Sequence, residues 1–332
     1  MKHLFQYFFL LCLLSCSITN KDISETRKYL NEVFEIIEKH SINRDSLNFQ
    51  QLKKTAYSEL KNTESIEDCY PIIKSILENL NDNHSFFNSK EQVEAWQSTS
   101  KTDSINELIT FTGKLIKNNI GYLHMKGFSS GDSISIQNYA DSLQLLIKSI
   151  DNYNLKGWIL DIRENTGGNC WPMLTGIGPL LNDGICGYFI HNDQKRYSWF
   201  YRAGAAGIDS VAITQLSIEP YKLLDIKLPI AVLTGSKTGS SGEIVATAFR
   251  NKNNTKSFGE NTAGLSTANT PYMLSDGSMI LLTTSIYADR LGNLYGNELI
   301  PDRYIKFSYQ EVGKQNDPVI KSALNWIYKK NN

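Results

Sequence analysis

The sequence predicts an α/β domain preceded by a helical cap, on the basis of two strand patterns and one helix pattern. Residues 157–162 and 228–234 are short, continuously apolar runs, which are typical of strands covered on both faces. Each run is followed by a segment with helical spacing, 171–181 after the first and 243–251 after the second. This alternation of strand and helix indicates an α/β core.

The predicted cap covers residues 24–80, where apolar side chains recur at helical spacing. Three stretches carry the pattern, at residues 30–37, 49–60 and 66–80. We expect three helices that pack together as a small bundle.

Further elements are predicted around the two buried strands. The pattern of Ile120–Met125 predicts a strand. That of residues 134–152 predicts a helix with apolar residues along one side. Residues 257–260 are predicted to form a short strand. Residues 272–284 are predicted to form a hairpin with its turn at Asp276-Gly277. The aromatic-rich segment 182–226 has two interpretations, either the lining of a cleft or core packing.

The first fifteen residues have the features of a bacterial targeting segment. Lys2 is followed by the apolar stretch 4–14, which is too short to cross a bilayer as a helix. Leu13-Leu14-Ser15-Cys16 resembles a lipobox, and this implies that Cys16 is lipidated and begins the mature chain. Two or more acyl chains would hold the protein on a membrane. The alternative is an ordinary secretory signal in which Cys16 has no role.

Composition argues against two classes of function. Lys plus Arg and Asp plus Glu both number 34, so the net charge is zero and nothing indicates a nucleic-acid partner. After the predicted signal and Cys16, the remaining cysteines are Cys69, Cys170 and Cys186, without a CxxC pair or a histidine-rich cluster. We therefore expect no metal site and no cofactor. A disulfide between Cys170 and Cys186 and buried free thiols are equally compatible with the sequence.

Ser240 lies between the second buried strand and the following helix, where its hydroxyl would be presented at the edge of the sheet. The amide of Ser241 would lie at the positive end of that helix, where it can stabilise an oxyanion. Serine in this position also caps helices, so capping is the competing interpretation. After the other buried strand come Gly167 and Gly168, and glycines let backbone amides approach a ligand closely.

A nucleophilic serine needs a base, and histidine is a common one. Three histidines are candidates: His84 in a polar loop after the cap, His124 inside a strand and His191 in a loop. The spacing of these residues does not choose among them.

Seven short segments follow one another along the chain: Asp82-Asn83-His84-Ser85, Ile120-Gly121-Tyr122-Leu123, Asp161-Ile162-Arg163-Glu164-Asn165-Thr166-Gly167-Gly168, Thr238-Gly239-Ser240-Ser241-Gly242-Glu243, Gly259-Glu260-Asn261-Thr262-Ala263-Gly264, Leu274-Ser275-Asp276-Gly277-Ser278 and Ile300-Pro301-Asp302. Together they resemble the C-terminal processing (tail-specific) peptidases, in the branch of the tricorn core and the retinoid-binding-protein-like repeats. The resemblance runs from about residue 76 to residue 302, roughly two thirds of the chain.

The resemblance implies which residues carry the chemistry. In this family the nucleophile lies three residues before a helix glutamate, as Ser240 lies before Glu243. One branch uses a lysine as base, but this chain has Leu265 at the matching position. The other branch uses a histidine that maps to His84, with an orienting carboxylate that maps to Glu298.

The same resemblance assigns the supporting residues. The amides of Gly167 or Gly168, together with Ser241, would form the oxyanion hole, and Ser85 is a candidate for a hydroxyl that bridges base and carboxylate. One departure is Asn83, where the family usually has glycine. Asparagine tolerates similar backbone conformations, so the substitution weakens the assignment little.

The implied fold is a Clp protease/crotonase-like core of β-β-α units behind an N-terminal helical cap. About 30 residues separate Phe87 from Asn118, too few for the PDZ domain that many relatives carry there. The implied function is a serine-type endopeptidase that acts on exported proteins or peptides and is lipid-anchored in the cell envelope, at the outer membrane or cell surface. The competing function is a catalytically inactive, peptide- or ligand-binding lipoprotein on the same scaffold. The expected divisions are a signal peptide (1–15), a tether (16–25), a helical domain (26–85), a connecting segment (86–118) and a peptidase domain (119–329).

Overall fold

The computed structural model describes residues 20–60, 65–99, 110–117 and 119–331. The predicted signal peptide and Cys16 lie outside these residues. None of the helices in this part of the chain combines the length and the apolar character that a membrane crossing requires.

Helices dominate the beginning of the described chain, and strands dominate its second half. The first half contains α1 (Asn20–His40), α2 (Phe49–Glu59), α3 (Cys69–Glu78), β1 (Phe86–Asn88), α4 (Lys90–Thr99), β2 (Phe111–Ile116), β3 (Ile120–Met125), α5 (Ser133–Ile150), β4 (Gly157–Asp161), α6 (Cys170–Gly176) and α7 (Gly178–Leu181). The second half contains β5 (Gly184–His191), β6 (Arg196–Arg202), β7 (Ala205–Ile208), β8 (Val211–Gln215), β9 (Ile230–Thr234), α8 (Ser241–Ala248), β10 (Thr255–Gly259), β11 (Thr267–Met273), β12 (Met279–Asp289), β13 (Arg303–Tyr304) and α9 (Pro318–Asn331).

The three predicted cap helices are present as α1, α2 and α3. Their apolar faces meet in a core that includes Phe34, Ile73 and Leu80. Ile280 and Leu282 of β12 belong to the same core, so the cap packs directly on the hairpin formed by β11 and β12. Burial of these side chains is the main force that holds the cap to the α/β domain.

A six-stranded sheet in the order β13-β10-β9-β4-β3-β2 forms the centre of the α/β domain. Its strands are parallel except β2, which is antiparallel to β3. All residues of β4 and β9 are buried, because α9 covers one face and α5, α6 and α8 cover the other. The two continuously apolar runs are therefore central strands, as predicted.

A seven-stranded antiparallel sheet has the order β1-β12-β5-β6-β7-β8, with β11 also paired to β12. The predicted hairpin is confirmed, with its turn at Asp276-Gly277, although its strands extend from Thr267 to Asp289. Segment 182–226 contributes β5 to β8, which the sequence did not predict as strands. Trp199 and Tyr201 are buried there, so at these two positions the core interpretation holds.

Three cysteines of the described chain, Cys69, Cys170 and Cys186, are buried free thiols. The alternative of a disulfide between Cys170 and Cys186 is therefore not what the structure contains.

A buried ion cluster anchors the loop after β4. The Arg163 guanidinium lies 2.6 Å from Asp161 Oδ2 and 2.7 Å from Asp317 Oδ2, and all three side chains are inaccessible to solvent or nearly so. Tyr122 donates a hydrogen bond to Asp161 at 2.8 Å, and Asp317 accepts the Val319 amide at the start of α9. The C-terminal helix thus fixes the loop that leads to the paired glycines.

Candidate active site

Ser240 lies in a tight turn between β9 and α8. Its φ of 50° and ψ of −117° belong to a region that residues other than glycine rarely adopt. Hydrogen bonds from the turn to the loop after β4 hold it: Thr238 Oγ1 donates to Ile162 O at 2.8 Å, and Gly239 N donates to Asn165 O at 3.0 Å. The ends of the two buried strands therefore jointly fix the serine in a strained conformation.

Gly167 and Gly168 pack against this turn. Their φ values are 110° and 111°, which favour glycine. A Cβ at Gly167 would lie 2.9 Å from Ser240 Cβ, and one at Gly168 would lie 2.0 Å from Phe128 O. The Ser241 hydroxyl donates to Gly168 O at 2.5 Å. Four residues that the sequence analysis singled out, Ser240, Ser241 and the two glycines, thus form one contiguous group.

The backbone amides of this group differ in availability. The Gly167 amide donates to Asn165 Oδ1 at 3.0 Å and is therefore occupied. The amides of Gly168 and Ser241 have no hydrogen-bond acceptor within the described part of the chain. These two amides are free to bind an incoming oxygen atom.

Glu243 is fully buried on the first turn of α8 and connects the serine turn to a neighbouring loop. Its Oε2 accepts the Ser240 amide at 3.0 Å, and its Oε1 accepts the Thr262 hydroxyl and, at 3.1 Å, the Gly264 amide. Burial raises the pKa of Glu243 to about 7, although hydrogen bonds from Thr262 and from the amides of Ser240, Gly264 and Leu265 oppose the rise. The carboxylate thus couples Ser240 to the loop that leads into β11.

His84 is buried between the cap and β11. Its Nδ1 lies 2.7 Å from Thr267 Oγ1, and its carbonyl accepts a hydrogen bond from Asn269 Nδ2 at 2.7 Å. Asn83 has φ 53°, which is the glycine-like conformation expected at this position. Burial lowers the pKa of His84 below its ordinary value, and the nearby Asp82 carboxylate partly opposes this shift. The imidazole is consequently held largely neutral near pH 7.

The structure corrects the expectation for Ser85. Its hydroxyl donates to Asp82 Oδ2 at 2.6 Å and accepts the Thr283 amide at 2.9 Å. The side chain is therefore engaged at the start of β1, and the hydroxyl in contact with the His84 ring belongs to Thr267.

Glu298 lies at the edge of the loop that Glu243 holds. It is exposed, its Oε2 accepts Asn261 Nδ2 at 2.8 Å, and its Cγ would lie 3.4 Å from a Cβ at Gly264. Among the described residues, no hydrogen bond joins His84 to Glu298 or His84 to Ser240. The structure thus joins Ser240 to the glycines and His84 to Thr267, and no hydrogen bond links the side chains of Ser240, His84 and Glu298 in the described part of the chain.

Two site residues were missed by the sequence analysis. Tyr287 is buried on β12, where burial raises the pKa of its hydroxyl well above the ordinary value and the nearby Ser240 side chain opposes this rise. Thr267 is paired with Ile286, the residue before Tyr287, so one hairpin carries the neighbours of both His84 and Ser240. Neither residue lies in a sequence pattern that indicates chemistry, because only the pairing of β11 with β12 brings them to the site.

The other candidate histidines have different environments. His124 Nε2 lies 3.1 Å from Glu164 Oε2, and the His191 ring packs on Tyr197 with 4.9 Å between ring centroids. Neither makes a hydrogen bond to Ser240 in the described structure. Within the same residues, no group of three or more His, Cys, Asp or Glu side chains is arranged to hold a metal ion.

Known proteins resemble this chain in sequence and in fold. The sequence model of peptidase family S41 matches residues 119–305. A nisin-resistance protein of Lactococcus lactis subsp. lactis is 28% identical over 302 residues, which are 91% of this chain and 86% of that protein. A carboxy-terminal processing protease of Bacillus subtilis (strain 168) is 27% identical over 176 residues, 53% of this chain and 32% of the protease.

Among solved structures, a lipoprotein from Streptococcus agalactiae has the same fold. It aligns with a TM-score of 0.72 at 23% identity and covers 92% of this chain and 96% of that one.

Proposed function

This chain belongs to peptidase family S41, whose model matches more than half of its 332 residues, and we propose that Ser240 is its catalytic nucleophile. The observation that carries the proposal is the strained serine turn packed against a glycine loop. Strained backbone is retained where the surrounding structure over-determines it, and such positions cluster at active sites. A serine that only capped a helix would need neither this conformation nor the glycine loop.

His84 is the proposed general base. When Nδ1 donates to Thr267 Oγ1, the unprotonated Nε2 is left to accept the proton of a serine hydroxyl. The lowered pKa of His84 keeps that nitrogen unprotonated near neutral pH. Leu265, whose Cδ1 would lie 3.6 Å from a Cβ at Gly239, occupies the position where the other branch of the family has a lysine.

The proposed reaction is acyl transfer to the serine, followed by hydrolysis. As the Ser240 oxygen attacks a peptide carbonyl, His84 takes its proton and then gives it to the leaving amine. The amides of Gly168 and Ser241 bind the oxyanion, and losing one such donor typically costs about 2.7–4 kcal/mol of barrier stabilisation. Water then attacks the acyl carbonyl while His84 takes its proton, and the bond from the acyl carbon to the Ser240 oxygen breaks as His84 returns the proton to that oxygen.

Thr267 and Glu298 are the proposed orienting residues. Thr267 contacts the imidazole directly. Glu298 instead lies beside Gly264, which precedes Thr267 by three residues. Glu298 would therefore act on His84 through the 264–267 segment or after this loop closes on a bound substrate. Loop closure of this kind is common, since catalytic hydrogen bonds often tighten only when substrate is bound.

The proposed substrates are exported peptides or proteins outside the cytoplasm. This rests on the lipobox-like segment ending at Cys16 and on the names of two similar proteins, a nisin-resistance protein and a lipoprotein. A lipid anchor at Cys16 would hold the enzyme in the envelope, at the outer membrane or cell surface. A second candidate function, peptide binding without cleavage, is favoured by the absence of a His84–Ser240 hydrogen bond among the described residues.

Labelling with a serine-reactive fluorophosphonate separates these functions. The full chain should be labelled, and labelling should be lost in Ser240→Ala because this variant lacks the proposed nucleophile. Ser241→Ala is the matched control and should retain labelling, since the neighbouring hydroxyl is bonded to Gly168 O and only its amide is needed. Cleavage of an unfolded protein should follow the same pattern.

Two results would contradict the proposal. If wild type is neither labelled nor able to cleave unfolded protein, the binding function is correct. If Ser240→Ala is labelled as fast as wild type, the nucleophile is another residue.

A further inference from the structure

A cavity of about 470 Å³ lies at the C-terminal end of α8, the end opposite Ser240. Arg250, Lys252 and Lys256 line it, and Asp302 is the acidic residue of this lining. Asp302 Oδ2 already accepts the amide and hydroxyl of Ser257, and its Oδ1 lies 3.6 Å from Arg250 Nη1. The cavity therefore has an excess of positive charge that its own carboxylate does not balance.

Lys252 is one of the basic residues of this lining that have no carboxylate partner among the described residues. Its side chain is half-buried. Burial, followed by the positive charge of Arg290, lowers the pKa of Lys252 to about 8. The Cys186 thiol also lies near Lys252, and burial raises the pKa of this thiol to about 11, so it is neutral near pH 7.

Arg290 lies behind the lining and adds a second positive charge near Lys252. One guanidinium nitrogen donates to Ala248 O at 2.6 Å, near the carbonyl end of α8, where a cation suits the helix dipole. Its Nε, however, is buried without a hydrogen-bond partner. A buried polar group without a partner is costly, and two nearby like charges add repulsion. The adjacent Asp289 carboxylate already accepts hydrogen bonds from Asn251 and Tyr295, so an anion bound in the cavity would reduce the repulsion further.

We propose that this cavity binds the phosphate group of a small molecule between Lys252 and the other basic residues of its lining. A doubly charged anion would offset the excess positive charge of Arg250, Lys252 and Lys256 over Asp302. The cavity volume lies within the range of about 300–1,000 Å³ typical of small-molecule sites, which leaves room for more than the phosphate group itself. The site is separate from the proposed peptidase chemistry and does not depend on it.

Site-resolved amine labelling of the wild-type full chain tests the proposal without relying on a variant that folds. The chain is pulsed with an acylating reagent near pH 8, and modification of each lysine is measured by mass spectrometry. Bound phosphate shields Lys252 and favours its charged form, so its labelling rate should fall by the factor 1 + [L]/Kd. Lys329, near the end of α9, should not respond.

Two ligands and one variant complete the experiment. Inorganic phosphate and glycerol 3-phosphate are each compared with sodium chloride at equal ionic strength, and stronger protection by the ester would identify a small-molecule phosphate ester as ligand. Phosphate should also raise the unfolding temperature of wild type and of Lys329→Met, but not of Lys252→Met. The proposal is overturned if neither compound protects Lys252 beyond chloride, or if Lys329 is protected equally.

Discussion

The imidazole of His84 is held by the hydroxyl of Thr267, with 2.7 Å between His84 Nδ1 and Thr267 Oγ1. These residues are separated by 183 positions in the chain and meet because β11 begins beside the loop that leaves the cap. The contact orients the ring of the proposed base, and when Nδ1 donates to the hydroxyl, Nε2 is left to accept a proton.

Thr267→Val should slow fluorophosphonate labelling of Ser240 about tenfold or more, less than the 10²–10⁴ typical of losing a general base. Valine keeps the shape of threonine but removes the hydroxyl that orients His84. The second-order labelling rate is measured as a function of pH, and the variant should shift the acidic limb of the profile.

Thr267→Ser is the control for this prediction, because serine restores the hydroxyl. Its labelling rate and pH profile should return close to those of wild type. A Thr267→Val protein that is stable and labels as fast as wild type would remove Thr267 from the proposed site.

Glu243→Gln should change the pH dependence of stability. The pKa of Glu243 is raised from its ordinary 4.5 to about 7, so the folded state binds more protons than the unfolded state between these values. The unfolding free energy of wild type minus that of Glu243→Gln should therefore fall by on the order of 3 kcal/mol as pH rises through this window. The difference should level off above about pH 7.

Urea unfolding at a series of pH values measures this difference. Glu219→Gln, at an exposed carboxylate, is the control and should give a difference that stays flat across the same window. A flat difference for Glu243→Gln as well would show that burial does not hold this carboxyl protonated in the folded chain.

The sequence was informative wherever burial left a regular pattern of apolar residues. β4 and β9 could be predicted because strands covered on both faces need continuous apolar runs, and the serine turn and glycine loop were located as the segments that follow them. β5 to β8 were missed because their residues alternate less regularly between buried and exposed positions.

Contacts made by long-range pairing could not be predicted. Thr267 and Tyr287 reach His84 and Ser240 only because β11 pairs with β12, and the sequence spacing of these residues carries no trace of that. Ser85 was a plausible bridge by proximity in sequence, yet the start of β1 directs its hydroxyl to Asp82.

Gly168→Ala should destabilise the protein by more than about 2 kcal/mol and abolish labelling of Ser240. The new Cβ would lie 2.0 Å from the backbone oxygen of Phe128, so the loop must move and carry the Gly168 amide away from the oxyanion position.

Gly184→Ala is the control, because Gly184 also has a positive φ of 144° but no heavy atom within 4 Å of the added Cβ. It should show only the backbone strain, about 1–2 kcal/mol, and retain labelling. Equal effects of the two substitutions would mean that the clash at Phe128 is unimportant.

Asp276→Asn should loosen the cap from the β11–β12 hairpin. Tyr70 of α3 donates to Asp276 Oδ2 at 2.7 Å, and although burial alone would raise the pKa of Asp276, the hydrogen bonds from Tyr70 and Ser278 lower it below its ordinary 3.8. The charged carboxylate therefore stabilises the cap contact above that pH, and protonation removes this contribution as pH falls through the lowered pKa. At pH 7 the variant should lose about 2 kcal/mol, seen as faster amide hydrogen exchange in α1 and α3. Asp209→Asn is the matched control, because Asp209 accepts the amide and the hydroxyl of Ser198 at 2.8 and 3.0 Å, as Asp276 does those of Ser278, but belongs to the β7–β8 connection. Amide hydrogen exchange in the cap of Asp209→Asn should equal that of wild type. Unchanged exchange in Asp276→Asn would mean that apolar packing alone holds the cap.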